Sequence, residues 1–211
     1  MGATSGEGMD FLAAGQGALA VREKPAGPVA DDSSLVEAAR GGDRSAFGKL
    51  YDRYAPAVHG ILLARVRRDD VDDLVQDVFM IALRRLSTLR DNASFGGWLA
   101  AIARNRAVDF HRRSGPETQL DDELAVAKSS DSAAADDQRQ ARGILSVIKS
   151  LPEAYRETLT LRLVEGMTGP EIAARTGMTH GSVRVNLHRG MQQLRAKLGW
   201  NTESDPPPET Y

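Results

Sequence analysis

Trp98-Leu-Ala-Ala-Ile-Ala-Arg-Asn-Arg-Ala-Val-Asp-Phe-His-Arg-Arg113 repeats its apolar side chains at helical period. Leu99, Ile102, Ala103, Ala107 and Phe110 fall on one face, and Arg104, Asn105, Asp109, Arg112 and Arg113 mainly on the other. That outer face carries guanidinium and amide groups, which suit phosphates and base edges. A second helix of this kind lies within Thr168–Leu194. Two such helices in 211 residues, separated by an acidic stretch, suggest a chain that grips DNA at two places.

Charge is segregated along the sequence. The formal net charge is only −2, yet 35–113 carries a net +4, 114–138 a net −6 and 139–198 a net +6. Two basic blocks on an acidic tether fit two nucleic-acid-binding domains. Arg outnumbers Lys 22 to 5, which favours bidentate contacts, although genomic base composition produces the same bias.

The chain has no cysteine, which excludes disulfides, thiolate chemistry and Cys-ligated zinc. No run of about 18 apolar residues is present, so no membrane insertion is expected. The N-terminus lacks a basic region followed by an apolar core, so a secretory signal is not expected either. The expected location is the cytoplasm.

Residues 1–34, rich in Gly, Ala and Pro, read as a disordered leader. Ser33 and Ser34 are plausible caps for a helix entering Leu35-Val-Glu-Ala-Ala-Arg40, which Gly41-Gly42-Asp43 breaks. A second helix carries Phe47, Leu50, Tyr51 and Tyr54, and either continues or bends at Pro56. A third begins near Asp70 and presents Leu74, Val75, Val78, Phe79, Ala82, Leu83 and Leu86 to a core. Asp91–Gly97 reads as a loop. The acidic 114–138 reads as a flexible linker with weak helix near its centre. Helices follow over Gln138–Ser150, Pro152–Glu165, Thr168–Arg175 and Thr179–Leu198, and 199–211 reads as a disordered tail. No strand pattern appears. The expected fold is all-α, with one small helical domain over 35–113 and another over 139–198.

Within the second domain, Thr168 can cap a helix with Glu171 at the capping-box position. Gly177 can end that helix in the left-handed conformation, and Thr179 can cap the next. Val183 and Leu187 then face inward. Arg184, Val185, His188 and Arg189 lie outward in the half of a recognition helix that enters the major groove. Arg pairs bidentately with guanine, and Val185 suits a thymine methyl. The competing reading is an αα-corner packed on its own domain. Asp69-Asp-Val-Asp-Asp73 has the form of a diphosphate-binding metal motif. A second acidic cluster and a large apolar pocket are missing, so it reads as an acidic helix start. No metal or other cofactor is expected.

Four segments occur in one order: Asp72-Asp-Leu-Val-Gln-Asp-Val-Phe79, Phe95-Gly-Gly-Trp-Leu-Ala-Ala-Ile-Ala-Arg-Asn-Arg-Ala-Val-Asp109, Leu151-Pro-Glu-Ala-Tyr-Arg-Glu157 and the helix-turn-helix. In that order they resemble the sigma-70 family, specifically its small two-domain extracytoplasmic-function (ECF) form, over roughly 35–198. The resemblance implies a non-enzymatic RNA polymerase sigma factor that recognises −10 and −35 promoter elements and helps open the −10 region. It implies that Asp73, Gln76, Asp77, Arg84 and Arg85 dock on the clamp helices of the largest polymerase subunit. A further contact is implied with the flap of the second-largest subunit. Asn92, Ser94 and Phe95 would lie in the loop that captures a flipped base. Trp98, Arg104, Asn105, Arg106, Asp109, Arg112 and Arg113 would read and hold the −10 region, although Trp98 reads equally as core. Arg184, Val185, His188 and Arg189 would read the −35 element, with Thr168, Ser182 and Asn186 closer to phosphates. An anti-sigma factor is an implied partner.

Gly169-Pro170 and Val185-Asn186 depart from the family's usual residues and leave the −35 sequence open. A stand-alone helix-turn-helix regulator is the rival from another class. It predicts a dimer that binds duplex DNA without polymerase.

Overall fold

The computed structural model describes the backbone of residues 30–114 and 133–200, and the side chains of 32–113 and 139–200. The remaining leader, most of the acidic linker and the tail lie outside the described residues. The N-terminal half contains α1 (Ala30–Arg40), α2 (Arg44–Leu63), α3 (Val71–Arg85) and α4 (Phe95–Ser114). Short 3₁₀ turns at Arg68–Asp70, Leu86–Thr88 and Asn92–Ser94 connect them. The C-terminal half contains α5 (Ala133–Lys149), α6 (Glu153–Leu163), α7 (Gly169–Thr176) and α8 (His180–Leu198). Among the described residues there is no strand, and the fold is all-α.

Local chemistry sets the boundaries. The Asp43 carboxylate accepts from the backbone N–H of Ser45 and Ala46 and starts α2. That helix runs through Pro56 without ending, because Tyr54, Ala57 and Val58 on either side are all buried. Gly42, at φ 96°, makes the turn between α1 and α2.

Three boundaries differ from the sequence reading. Helix begins at Ala30, within the stretch assigned to the leader, because Asp32 is anchored. Its buried carboxylate accepts hydrogen bonds from the Tyr54 hydroxyl (2.6 Å) and from Arg53. Helix α4 begins at Phe95, three residues before Trp98, since the Phe95 ring is buried edge-to-face on Tyr54 with centroids 5.0 Å apart. Helix α5 takes in Ala133–Gln138, assigned to the linker; Ala133-Ala-Ala-Asp-Asp137 combines the best helix former with acids near an N-terminus.

Helices α2, α3 and α4 surround the main core, in which Leu50, Ile61, Leu62, Val78, Phe95 and Leu99 are essentially inaccessible. That core does not stop at the domain boundary. Leu161, Met167, Ile172, Ala173 and Val183 of the C-terminal half belong to the same cluster. A smaller cluster of Ile148, Leu151, Leu159 and Leu194 holds α5, α6 and α8 together. The two basic halves are therefore packed on one another. Leu83, expected in the core, is 47% exposed beside Met80 at 45%; the buried stripe of α3 runs through Leu74, Val75, Val78 and Ala82 instead.

Candidate nucleic-acid interface

The helix-turn-helix is built from α7 and α8. The Thr168 hydroxyl accepts from the Glu171 N–H, and the Glu171 carboxylate accepts from the Thr168 N–H (2.8 Å), a complete capping box. The Thr168 N–H, and after it the Thr168 hydroxyl that donates to the same carboxylate at 2.7 Å, hold the Glu171 carboxyl below its ordinary range. Gly177 ends α7 at φ 73°, in the left-handed region. Thr179 then caps α8 by accepting from the Ser182 N–H, and its hydroxyl lies 2.8 Å from that of Ser182. Val183 is buried and Leu187 half-buried, which turns Arg184 and Val185 outward. Arg184, Val185, His188 and Arg189 line one surface concavity, with Val185 45% exposed. Asn186 is half-buried next to them.

Helix α4 divides its predicted residues three ways. Asn105, Arg112 and Arg113 are exposed, and Ala101 and Val108 complete an open stripe that the sequence reading did not pick out. Asp109 sits 3.7 Å from Arg112. Arg106 donates to Asp77 of α3 at 2.6 and 3.1 Å, so one predicted polymerase contact and one predicted promoter contact share an ion pair.

Arg104, expected on the outer face, is turned into the seam between the halves. Its Nε and Nη2 donate to Glu157 at 3.1 and 2.7 Å, and Nη2 reaches the Thr176 carbonyl at 3.5 Å. The reason is positional. Arg104 follows the buried Ala100 by four residues and precedes the buried Ala107 by three, so it borders the apolar stripe and meets the second half where that packs.

The preceding loop is tied down from within. Asn92 accepts from Arg40 (2.8 Å) and donates to Glu37 (3.0 Å). The Ser94 hydroxyl donates to Asp91 (2.6 Å), and this bond leads the causes that lower the Asp91 pKa. Phe95, fully buried, forms the floor of the loop and offers no surface to a base. Trp98 is half-buried, 5.9 Å from the Phe95 ring.

On α3, Asp73, Gln76, Asp77, Arg84 and Arg85 are all exposed along one side. Met80 and Leu83 add an apolar patch there that the sequence reading missed. Their spacing from Gln76, four and seven residues, was the available signal. Asp70, within the acidic motif, pairs with Arg67 at 3.1 Å.

The arrangement joins a basic helix-turn-helix to a second basic helix and an exposed mixed face, a constellation suited to a DNA-binding protein with a protein docking surface. Comparison with known proteins agrees. The family model Sigma-70 region 2 matches residues 50–117, and Sigma-70, region 4 matches 141–194. RNA polymerase sigma factor CarQ of Myxococcus xanthus is 34% identical over 169 residues, covering 78% of this chain and 95% of that protein. The ECF RNA polymerase sigma-E factor of Escherichia coli K12 is 32% identical over 181 residues, covering 79% and 94%. The solved structure of CnrH in complex with the cytosolic domain of CnrY is 26% identical with a TM-score of 0.54, covering 82% of this chain and 99% of that one. The chain belongs to the sigma-70 family of RNA polymerase sigma factors, in its extracytoplasmic-function branch.

Proposed function

We propose that this chain binds core RNA polymerase, brings it to promoters with matching −35 and −10 elements and helps open the −10 region. It performs no chemistry itself and acts in the cytoplasm; among the described residues no helix is long and apolar enough to cross a membrane. The observation that carries this reading is the outward presentation of Arg184, Val185, His188 and Arg189 on a capped recognition helix. Thr168, Ser182 and Asn186 lie at its approach and suit phosphates.

The −10 assignment falls on Asn105, Arg106, Asp109, Arg112 and Arg113, with Asn92, Ser94 and Trp98 beside them at the start of α4 and Arg104 available once the seam opens. Polymerase docking falls on Asp73, Gln76, Asp77, Arg84 and Arg85, joined by Met80 and Leu83, with the flap of the second-largest subunit meeting the C-terminal half. CnrH was solved with a protein partner, which supports expecting an anti-sigma factor here.

Run-off transcription with purified core polymerase tests the reading. Addition of the chain is expected to produce discrete new 5′ ends that share two upstream motifs at one fixed spacing, with yield falling steeply as salt rises. A chain that does not bind core, and instead footprints a palindrome alone, refutes it.

A further inference from the structure

Helix α3 ends at Arg85, and Leu86–Thr88 makes one 3₁₀ turn before the chain extends at Leu89 (φ −69°, ψ 117°). Leu86 and Leu89 are buried and pin the turn to the core. Between them Ser87 is exposed, as are Arg84, Arg85 and Arg90 around it. Over 84–90 the sequence holds three arginines and no acid. Among the described residues, none of these three arginines forms an ion pair.

The two hydroxyls of the turn differ. Thr88 Oγ1 donates to the Arg85 carbonyl at 2.7 Å and helps close the end of the helix. The Ser87 hydroxyl has no hydrogen-bond partner among the described residues and stands in solvent. Among the described serines and threonines, Ser87 alone follows arginines at both the third and the second place before it.

We propose that Ser87 is a phosphorylation site, read by an ATP-dependent serine kinase with an acidic substrate groove, and that its phosphate withdraws Arg84 and Arg85 from the polymerase-docking face. Two unpaired guanidiniums ahead of an open hydroxyl give such a groove two charges to grip. In the transfer, Ser87 Oγ bonds to the γ-phosphorus of ATP and its proton passes to a base of the kinase. The bond from that phosphorus to the β,γ-bridging oxygen breaks, and ADP leaves with the electron pair.

The product adds a charge of about −1.5 to −2 and three strong acceptor oxygens. A helix C-terminus already carries partial negative charge, so compensation falls to side chains. Arg84 lies one turn before Ser87 and Arg90 three residues after it, and neither has an acid to leave. A guanidinium forks onto phosphate with two parallel bonds. The segment's charge accordingly falls from three positive groups to a net of about +1, and an acidic partner surface loses its grip there. The inference rests on the docking role of Arg84 and Arg85 in the proposed function.

The full-length chain is treated with MgATP and a purified kinase selective for Arg-Arg-X-Ser, and the product is mapped by peptide mass. One phosphate on Ser87 is expected, absent from Ser87→Ala. Modification of the heat-unfolded chain but not of the folded one overturns the proposal. In competition for core polymerase, the phosphorylated chain is expected to bind about tenfold more weakly than the untreated chain. Ser87→Ala, treated in the same way, should bind as the untreated chain does. Equal binding of the phosphorylated and untreated chains overturns the proposal.

The double variant Arg84→Ala/Arg85→Ala separates this inference from the docking reading. If it binds core as the untreated chain does, the docking role of both arginines fails, and the inference with it. Weak binding by this variant, beside undiminished binding by the phosphorylated chain, overturns the phosphate masking alone. Peptide mapping of the chain recovered from its own cells is expected to find phosphate on Ser87 in part of the molecules. Its absence in both growing and stationary cells overturns the proposal as well.

Discussion

Arg104 and Arg106 stand two residues apart on α4 and meet different fates. Arg104 is held by a buried carboxylate of the other half, whereas Arg106 pairs with Asp77, a residue 50% exposed in the same half. The energetics differ accordingly. An ion pair with one partner in water contributes at most about 1 kcal/mol, so Asp77→Ala should shift the thermal midpoint by only a few degrees. If Asp77 docks polymerase, the same variant should bind core far more weakly, as measured by competition against the unaltered chain. A large drop in thermal stability instead makes Asp77 a structural residue and removes it from the docking face. A helical wheel placed Arg104 outside its own domain's core, correctly. It carries no information about what a second domain covers, and therefore Arg104 looked open in the sequence.

The elements themselves were the most legible level, because their signals are local. Thr168 and Glu171, Gly177, Thr179 and the inward Val183 were read from the sequence in the positions they occupy, since a capping box spans four residues and a left-handed end needs only a glycine. Helix starts set by distant contacts were not legible. Helix α1 reaches back to Ala30 because Asp32 finds Tyr54, 22 residues away, and α4 begins at Phe95 because that ring finds Tyr54 as well. The burial and hydrogen bond that hold Asp32 also act on Tyr54, whose phenol is pushed well above its ordinary value, first by burial and then by that carboxylate.

The capping box gives a prediction at this scale. Thr168→Ala should cost about 1 kcal/mol in denaturant unfolding while leaving α8 intact, because Thr179 caps that helix independently. Equal stability of variant and parent would mean that the box contributes nothing net. If α7 positions α8 as drawn, the variant should also weaken −35 binding, since the recognition helix then loses a fixed approach.

For the whole molecule, the contacts that decide accessibility join residues far apart in sequence: 53 positions for Arg104 and Glu157, and 106 for His59 and Glu165. Charge segregation showed two basic halves and gave no sign that they dock, because Glu157 and Glu165 are single acids inside a basic block. His59 makes that docking sensitive to pH. Its Nδ1 lies 2.7 Å from the Glu165 carboxylate, with Asp72 and Arg68 as the other charged groups acting on it.

The Glu165 hydrogen bond raises the imidazole pKa, burial opposes this, and the Glu165 and Asp72 charges support it. A raised value means that the closed form binds the proton more tightly than the open form. The resulting stabilisation is therefore full below about pH 6.5, the ordinary histidine value, and is lost as pH rises through the raised one. With one dye on each half, at Lys49→Cys and Ala196→Cys, both exposed positions in a chain without cysteine, energy transfer should accordingly fall as pH rises above about 6.5 and through the raised imidazole value. Glu165→Gln should flatten that response while keeping a neutral hydrogen-bond partner for the ring. A pH response that survives Glu165→Gln would assign the transition to another group, and closure would then rest on Glu157, Asp32 and the shared apolar core without help from His59.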